Sequence, residues 1–80
     1  MQRVKKFHET RHVFQRAAER GLSIDDMKQI VNYHDSKVQQ TKGGHGGMVY
    51  RLKKTVDKKT HIVIAEIKKD ECWLVSGWVQ

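Results

Sequence analysis

His61-Ile62-Val63-Ile64-Ala65 is apolar at consecutive positions, and turn-forming runs bracket it: Asp57-Lys58-Lys59 before and Lys69-Asp70-Glu71 after. A short run apolar on both faces has to be covered on both sides, which suits the central strand of a sheet. The neighbouring runs fit that strand. Met48, Tyr50 and Leu52 alternate with Val49, Arg51 and Lys53, as in a strand with one drier and one wetter face. The expected strands are Lys37 to Thr41, Met48 to Val56, His61 to Lys68 and Cys72 to Val79, joined largely as hairpins.

The first half has a different period. Phe7, Phe14 and Ala18 recur at helical spacing, and Gly21 follows Arg20 as a helix-ending pair, so a helix is expected over residues 4–20. Ser23 is placed to cap a second helix, with Asp25 and Asp26 in its positive first turn. Ile24, Met27, Ile30 and Val31 give that helix its buried face, and it is expected to fade between Asn32 and Asp35. The order α-α-β-β-β-β predicts an α+β domain: a two-helix hairpin on one face of a four-stranded, mainly antiparallel sheet.

Eighty residues make one small domain with a thin core. The single cysteine, Cys72, rules out an intramolecular disulfide and a CxxC metal site, and favours a reducing, cytoplasmic setting. The basic start is followed by no apolar run of signal-peptide length, and no stretch has the length of a membrane span. The formal net charge is +7 with pI near 9.8, which favours an acidic partner such as a nucleic acid or an acidic protein.

The most conspicuous motif is His8-Glu9-Thr10-Arg11-His12, a literal H-E-x-x-H on the expected first helix. A catalytic zinc needs a third ligand and a cleft, and Lys5, Lys6, Arg11 and Arg16 would surround the cation with like charge, so no metal is expected. His12, Arg16 and Arg20 fall at i, i+4 and i+8, one ridge opposite Phe7 and Phe14. An imidazole beside guanidiniums is a set that phosphodiester chemistry can use, the first moving a proton and the second holding a phosphate. A solvated basic face has the same spacing.

Lys42-Gly43-Gly44-His45-Gly46-Gly47 lacks the Gly-Lys-Ser/Thr ending of a P-loop. It reads either as a flexible connector or as a close-approach loop whose His45 closes over a substrate backbone, with Tyr50 and Arg51 on the strand that leaves it. Trp73 and Trp78 lie five apart, so strict alternation sends them to opposite faces, one into the core and one available to stack on a base. His61 is expected to be a satisfied core residue.

The run Arg11-His12-Val13-Phe14-Gln15-Arg16-Ala17-Ala18-Glu19-Arg20-Gly21-Leu22-Ser23-Ile24-Asp25-Asp26-Met27 resembles the signature of a bacterial domain-of-unknown-function family. That signature is a His, an Arg four residues on, Glu-Arg-Gly, a small apolar residue, Ser and an acidic pair. The family is similar in layout to the RelE/ParE toxins and to the wider barnase–EndoU–colicin–RelE fold. The resemblance implies a metal-independent ribonuclease without a cofactor, cutting RNA by 2′-hydroxyl attack on phosphate, with an acidic antitoxin or immunity protein as partner. It puts His12, Arg16 and Arg20 on motif positions. His45 and Tyr50 join them as further catalytic candidates, and Lys42, Arg51 and Lys53 as RNA-binding ones. RelE-like toxins commonly begin with a strand ahead of the helices, for which a helix starting at residue 4 leaves no room. The alternative is a non-catalytic basic module that binds nucleic acid or an acidic protein.

Overall fold

The computed structural model describes residues 4–80. The order is β1 (Lys6–His8), α1 (Arg11–Glu19), α2 (Ile24–Asn32), β2 (Ser36–Lys42), β3 (Met48–Val56), β4 (Lys59–Lys68) and β5 (Glu71–Val79). The strands form one mixed sheet in the order β1-β5-β4-β3-β2. The pairs β2–β3, β3–β4 and β4–β5 are antiparallel, and β1 lies parallel to β5. The α+β class and the helix hairpin agree with the expectation, and β4 is the middle strand. The sheet has five strands rather than four.

The difference lies at the start of the chain. No helix runs from residue 4. Lys6–His8 pairs with Glu71, Cys72 and Trp73, and the amides of Lys5 and Lys6 donate to Asp70 O at 2.8 and 3.0 Å. The helix begins only after Thr10, an extended residue whose hydroxyl accepts from the Val13 amide at 3.1 Å. Such a cap contributes about 1 kcal/mol. The buried stripe of α1 is therefore Val13 and Ala17, while Phe14 is 56% exposed and Ala18 faces water. Phe7 packs against the core from β1 instead. Helix α2 starts on a capping box, with Asp26 N to Ser23 Oγ at 3.0 Å and Ser23 N to Asp26 Oδ2 at 3.3 Å. At its far end Asn32 accepts from Val4 N at 2.9 Å and donates to Val4 O at 3.3 Å, tying the chain's start to the helix layer.

Both helices pack on one face of the sheet. Val13, Ala17, Leu22, Ile24, Met27, Ile30 and Val31 meet Leu52, Val63, Ala65, Cys72 and Leu74 in one cluster. Met27, Leu52 and Val63 are fully excluded from solvent, and burying each contributes about 1.5–3 kcal/mol relative to exposure. Ile62, equally buried, lies outside that cluster, because it points to the other face of β4.

The two tryptophans do not divide between the faces. Ile64 pairs with Ser76 and Ala65 with Leu74, so Val75 is an extra residue in β5 that faces no residue of β4. The bulge restores the phase lost in an odd spacing. Trp73 pairs with Glu66 and Trp78 with Ile62, which share the face turned away from the helices. Neither indole joins the core cluster.

Candidate active site

The helix-free face carries its densest chemistry where the β2–β3 loop folds back over β4. Glu66 occupies the middle strand between Ala65 and Ile67, so its side chain leaves the sheet opposite the core. It is only 3% exposed, and three groups of the loop meet its carboxylate. Its Oε2 accepts from the amides of His45 at 2.9 Å and Gly47 at 2.8 Å, and its Oε1 stands 3.0 Å from His45 Nδ1. Burial raises the carboxyl pKa, but the His45 ring, the two amides and the charge of His45 outweigh it, so the pKa lies below the ordinary value.

Glycine is required for this approach. A Cβ at Gly43 would run into the Glu66 carboxylate, and one at Gly47 would stand 2.7 Å from Ile67 O. The loop is thus the close-approach loop of the two sequence readings, and its target is the protein's own carboxylate.

An ionised carboxylate only accepts hydrogen bonds, so His45 Nδ1 carries the proton in their contact. With Nδ1 so occupied, the lone pair of the ring's neutral form falls on Nε2, where a general base needs it. The ring is fixed further by stacking on Trp73, with centroids 4.5 Å apart and planes 8° from parallel. His8, on β1, stacks on the same indole at 5.0 Å and 14°. β1 and β4 flank β5 on opposite sides, so the indole sits between the two imidazoles. His8 Nε2 also lies 3.6 Å from Glu71 Oε2, an exposed pair of little energetic weight. The side chain of His45 is 54% exposed and borders a cleft of about 330 Å³ lined by Lys68, Lys69, Asp70, Glu71 and Trp73. An imidazole, two ammonium groups and the carboxylates of Asp70 and Glu71 therefore share one opening.

The sequence candidates separate into several places. His45 lies in this cleft. Arg51 and Lys53 lie on the same open face, paired with Ile64 and Ile62. Tyr50 does not join them: it turns to the helix side, where Lys37 Nζ sits 4.2 Å from its ring. Lys42 borders a separate groove with Met48 and Ile67. His12 and Arg16 are exposed on α1 and do not line the cleft. Arg20 lies past the last residue of α1, with Nη1 3.3 Å from Ser76 Oγ and 3.4 Å from Gly77 O. His61 is half-buried beside Arg20 and Lys59.

The H-E-x-x-H spacing has no helix under it. His8 is in β1, His12 is in the first turn of α1, and Glu9 pairs with Lys28 at 3.7 Å. Among the described residues no group of three His, Cys, Asp or Glu side chains is placed to hold a metal ion. Also among them, no helix is long and apolar enough to cross a membrane. Sequence reasoning missed Glu66 and the part played by His8. A usable signal was present for the first, a lone acidic residue within the apolar run of a central strand.

In comparisons with known proteins, no family model, no curated protein and no solved structure matches this chain.

Proposed function

We propose that the chain is a metal-independent ribonuclease domain whose proton-transfer group is His45, oriented by Glu66. The observation that carries this reading is the 3.0 Å contact between an exposed imidazole and a carboxylate that is 3% exposed. A His whose Nδ1 is tied to a fixed acceptor presents Nε2 to substrate in a defined tautomer, the arrangement general-base catalysis uses. The net charge of +7 favours a phosphodiester as the reacting group, and within the cleft Lys68 and Lys69 are the cations placed to meet it, beside Asp70 and Glu71. The strand-first order β-α-α-β-β-β-β is also in keeping with the RelE-like layout that the Arg11–Met27 signature implies.

In the proposed step His45 Nε2 takes the proton of a ribose 2′-hydroxyl. The 2′-oxygen bonds to the adjacent phosphorus, the bond from phosphorus to the 5′-oxygen breaks, and that oxygen leaves with a proton from water. The products are a 2′,3′-cyclic phosphate and a 5′-hydroxyl. Lys68 and Lys69 offset the negative charge that builds on phosphorus. An acidic antitoxin or immunity protein is the partner the charge and the resemblance favour.

The test is cleavage of single-stranded RNA in the presence of a chelator, with product ends analysed. The parent is expected to yield cyclic phosphate ends, and His45→Ala to be slower by on the order of 100-fold or more. Cleavage abolished by chelator, or unaffected by His45→Ala, sinks the proposal. RNA binding without cleavage by the folded parent transfers the protein to the non-catalytic class.

A further inference from the structure

The sheet face that carries His45 continues well beyond the cleft. Side chains there stand in rows across the strands. One row runs Ser76, Ile64, Arg51, Val38; the next runs Trp78, Ile62, Lys53, Ser36. No helix covers them, since the buried residues of α1 and α2 pack into the cluster on the other face. Ile62, fully buried, gives this part of the face an apolar floor.

Arg51 is the anomaly in the pattern. Its guanidinium carbon lies 5.8 Å from the Trp78 ring, and its Nε is buried with no hydrogen-bond partner. A desolvated donor on a charged group is costly unless something accepts from it. Arg20 reaches the rim of the same row from the helix layer, through its contact with Ser76 Oγ. Two guanidiniums thus bracket a strip with an indole beside it. Two acidic residues of this face lie at its other end, where Glu66 is held by the loop and Glu71 stands by His8; Asp35, beside the Ser36 end of the second row, is occupied in accepting from Thr55 N at 2.9 Å.

We infer that this strip is a binding site for single-stranded RNA, in which an unpaired base stacks on Trp78 and Arg51 and Arg20 hold the backbone phosphates. An indole is sequence-tolerant because every base has a π-face, and arginine forks match phosphate oxygens. A duplex hides its base faces and gains only the phosphate contacts. The site rests on the ribonuclease reading for the choice of RNA as ligand, and deepens it by specifying unpaired substrate held away from the cleavage cleft.

The experiment measures binding, not turnover, with a short 2′-O-methyl oligonucleotide that cannot be cleaved and with its duplex. The single strand is expected to bind more tightly than the duplex. Trp78→Ala is expected to weaken single-strand binding by on the order of 10- to 100-fold, and Trp78→Phe by much less. Arg51→Gln is expected to lower affinity and to reduce the slope of log K against log salt by about 0.7 to 1. If Trp78→Ala does not fold, quenching of Trp78 fluorescence by the oligonucleotide in Trp73→Phe replaces it. Folded Trp78 and Arg51 variants that bind like the parent, an unquenched Trp78, or a duplex that binds as well as the single strand overturn the site. Such a result with RNA still cleaved at His45 removes the strip alone. Normal binding on the strip without any cleavage removes the ribonuclease reading alone.

Discussion

His45 Nδ1 lies 3.0 Å from Glu66 Oε1, so a residue of a glycine-rich loop is tied to the middle strand of the sheet. Glu66→Gln keeps the size of the side chain but replaces one of the acceptor oxygens with a donor. The two amides can keep the remaining oxygen, but the new donor faces His45 Nδ1, so the ring either loses that partner or takes the tautomer with its proton on Nε2. The expected outcome is a variant that folds less stably and cleaves RNA more slowly by on the order of 100-fold. The pH dependence has a definite sign. The folded pKa of Glu66 lies below its ordinary value of 4.5, so its stabilising effect is complete above that value and is lost as pH falls through the folded one. Denaturant titrations on both sides of that window are expected to show a smaller acid loss in Glu66→Gln than in the parent. Equal losses would mean that other carboxylates dominate acid unfolding.

His12 and His45 offer a direct comparison between the helix ridge and the loop. Both are exposed, and neither is in the core cluster. His12→Ala is expected to stay within about 0.5 kcal/mol of the parent's stability, and His45→Ala, which leaves the buried Glu66 Oε1 without that partner, to cost about 1–3 kcal/mol while the domain still folds. Their rates are expected to differ, with His45→Ala losing on the order of 100-fold and His12→Ala only a few-fold. The reverse ranking in single-turnover cleavage returns the chemistry to α1.

Gly43 and Gly44 are adjacent, and their environments differ sharply. A methyl group at Gly43 meets the Glu66 carboxylate, whereas one at Gly44 has nothing within 4 Å. Gly43→Ala is expected to cost about 1–3 kcal/mol and to slow cleavage as the loop shifts. Gly44→Ala is expected to change stability by about 0.5 kcal/mol or less. Thermal melts of the pair check the assignment, and matched melts would show that the loop does not depend on the close approach.

Cys72 is fully buried, and burial pushes its thiol pKa up to about 12. The thiolate is the reactive form, so the native protein is expected to resist alkylation at neutral pH and to react fully once denatured. Rapid labelling of folded protein, followed by mass spectrometry, would show that β5 opens locally.

The parts of the fold visible in the sequence are those set by local pattern. Helix α2 is marked by Ser23, Asp26 and a helical apolar period, and β3 by alternation from Met48 to Val56. The start of α1 is not, because Phe7 and Phe14 are seven apart and satisfy a helical period while one belongs to a strand. That strand is three residues long and pairs with the edge of β5, more than sixty positions away, so no local rule specifies it. His45 was legible as a singular residue among glycines. Glu66 stood out only as an acidic residue in an apolar run, and its pairing with His45 was not legible, since the contact spans 21 positions and depends on a loop folding back across the sheet.

Val75 has a consequence of its own. Its side chain is half in water, at 50% exposure, and it faces no residue of β4. The identity of this residue is therefore free to drift so long as it stays outside the pairing. Deleting it would leave an even spacing of four between the tryptophans, and Leu74, Ser76, Gly77 and Trp78 would keep Ala65, Ile64, Val63 and Ile62 as partners in unbroken alternation. Drawing Val75 into the pairing without removing it would instead turn Trp78 under the helices, where Leu22 and Met27 now crowd against Gly77. The sheet's outer surface is thus governed by one residue left out of register, so losing the bulge threatens it more than losing the residue.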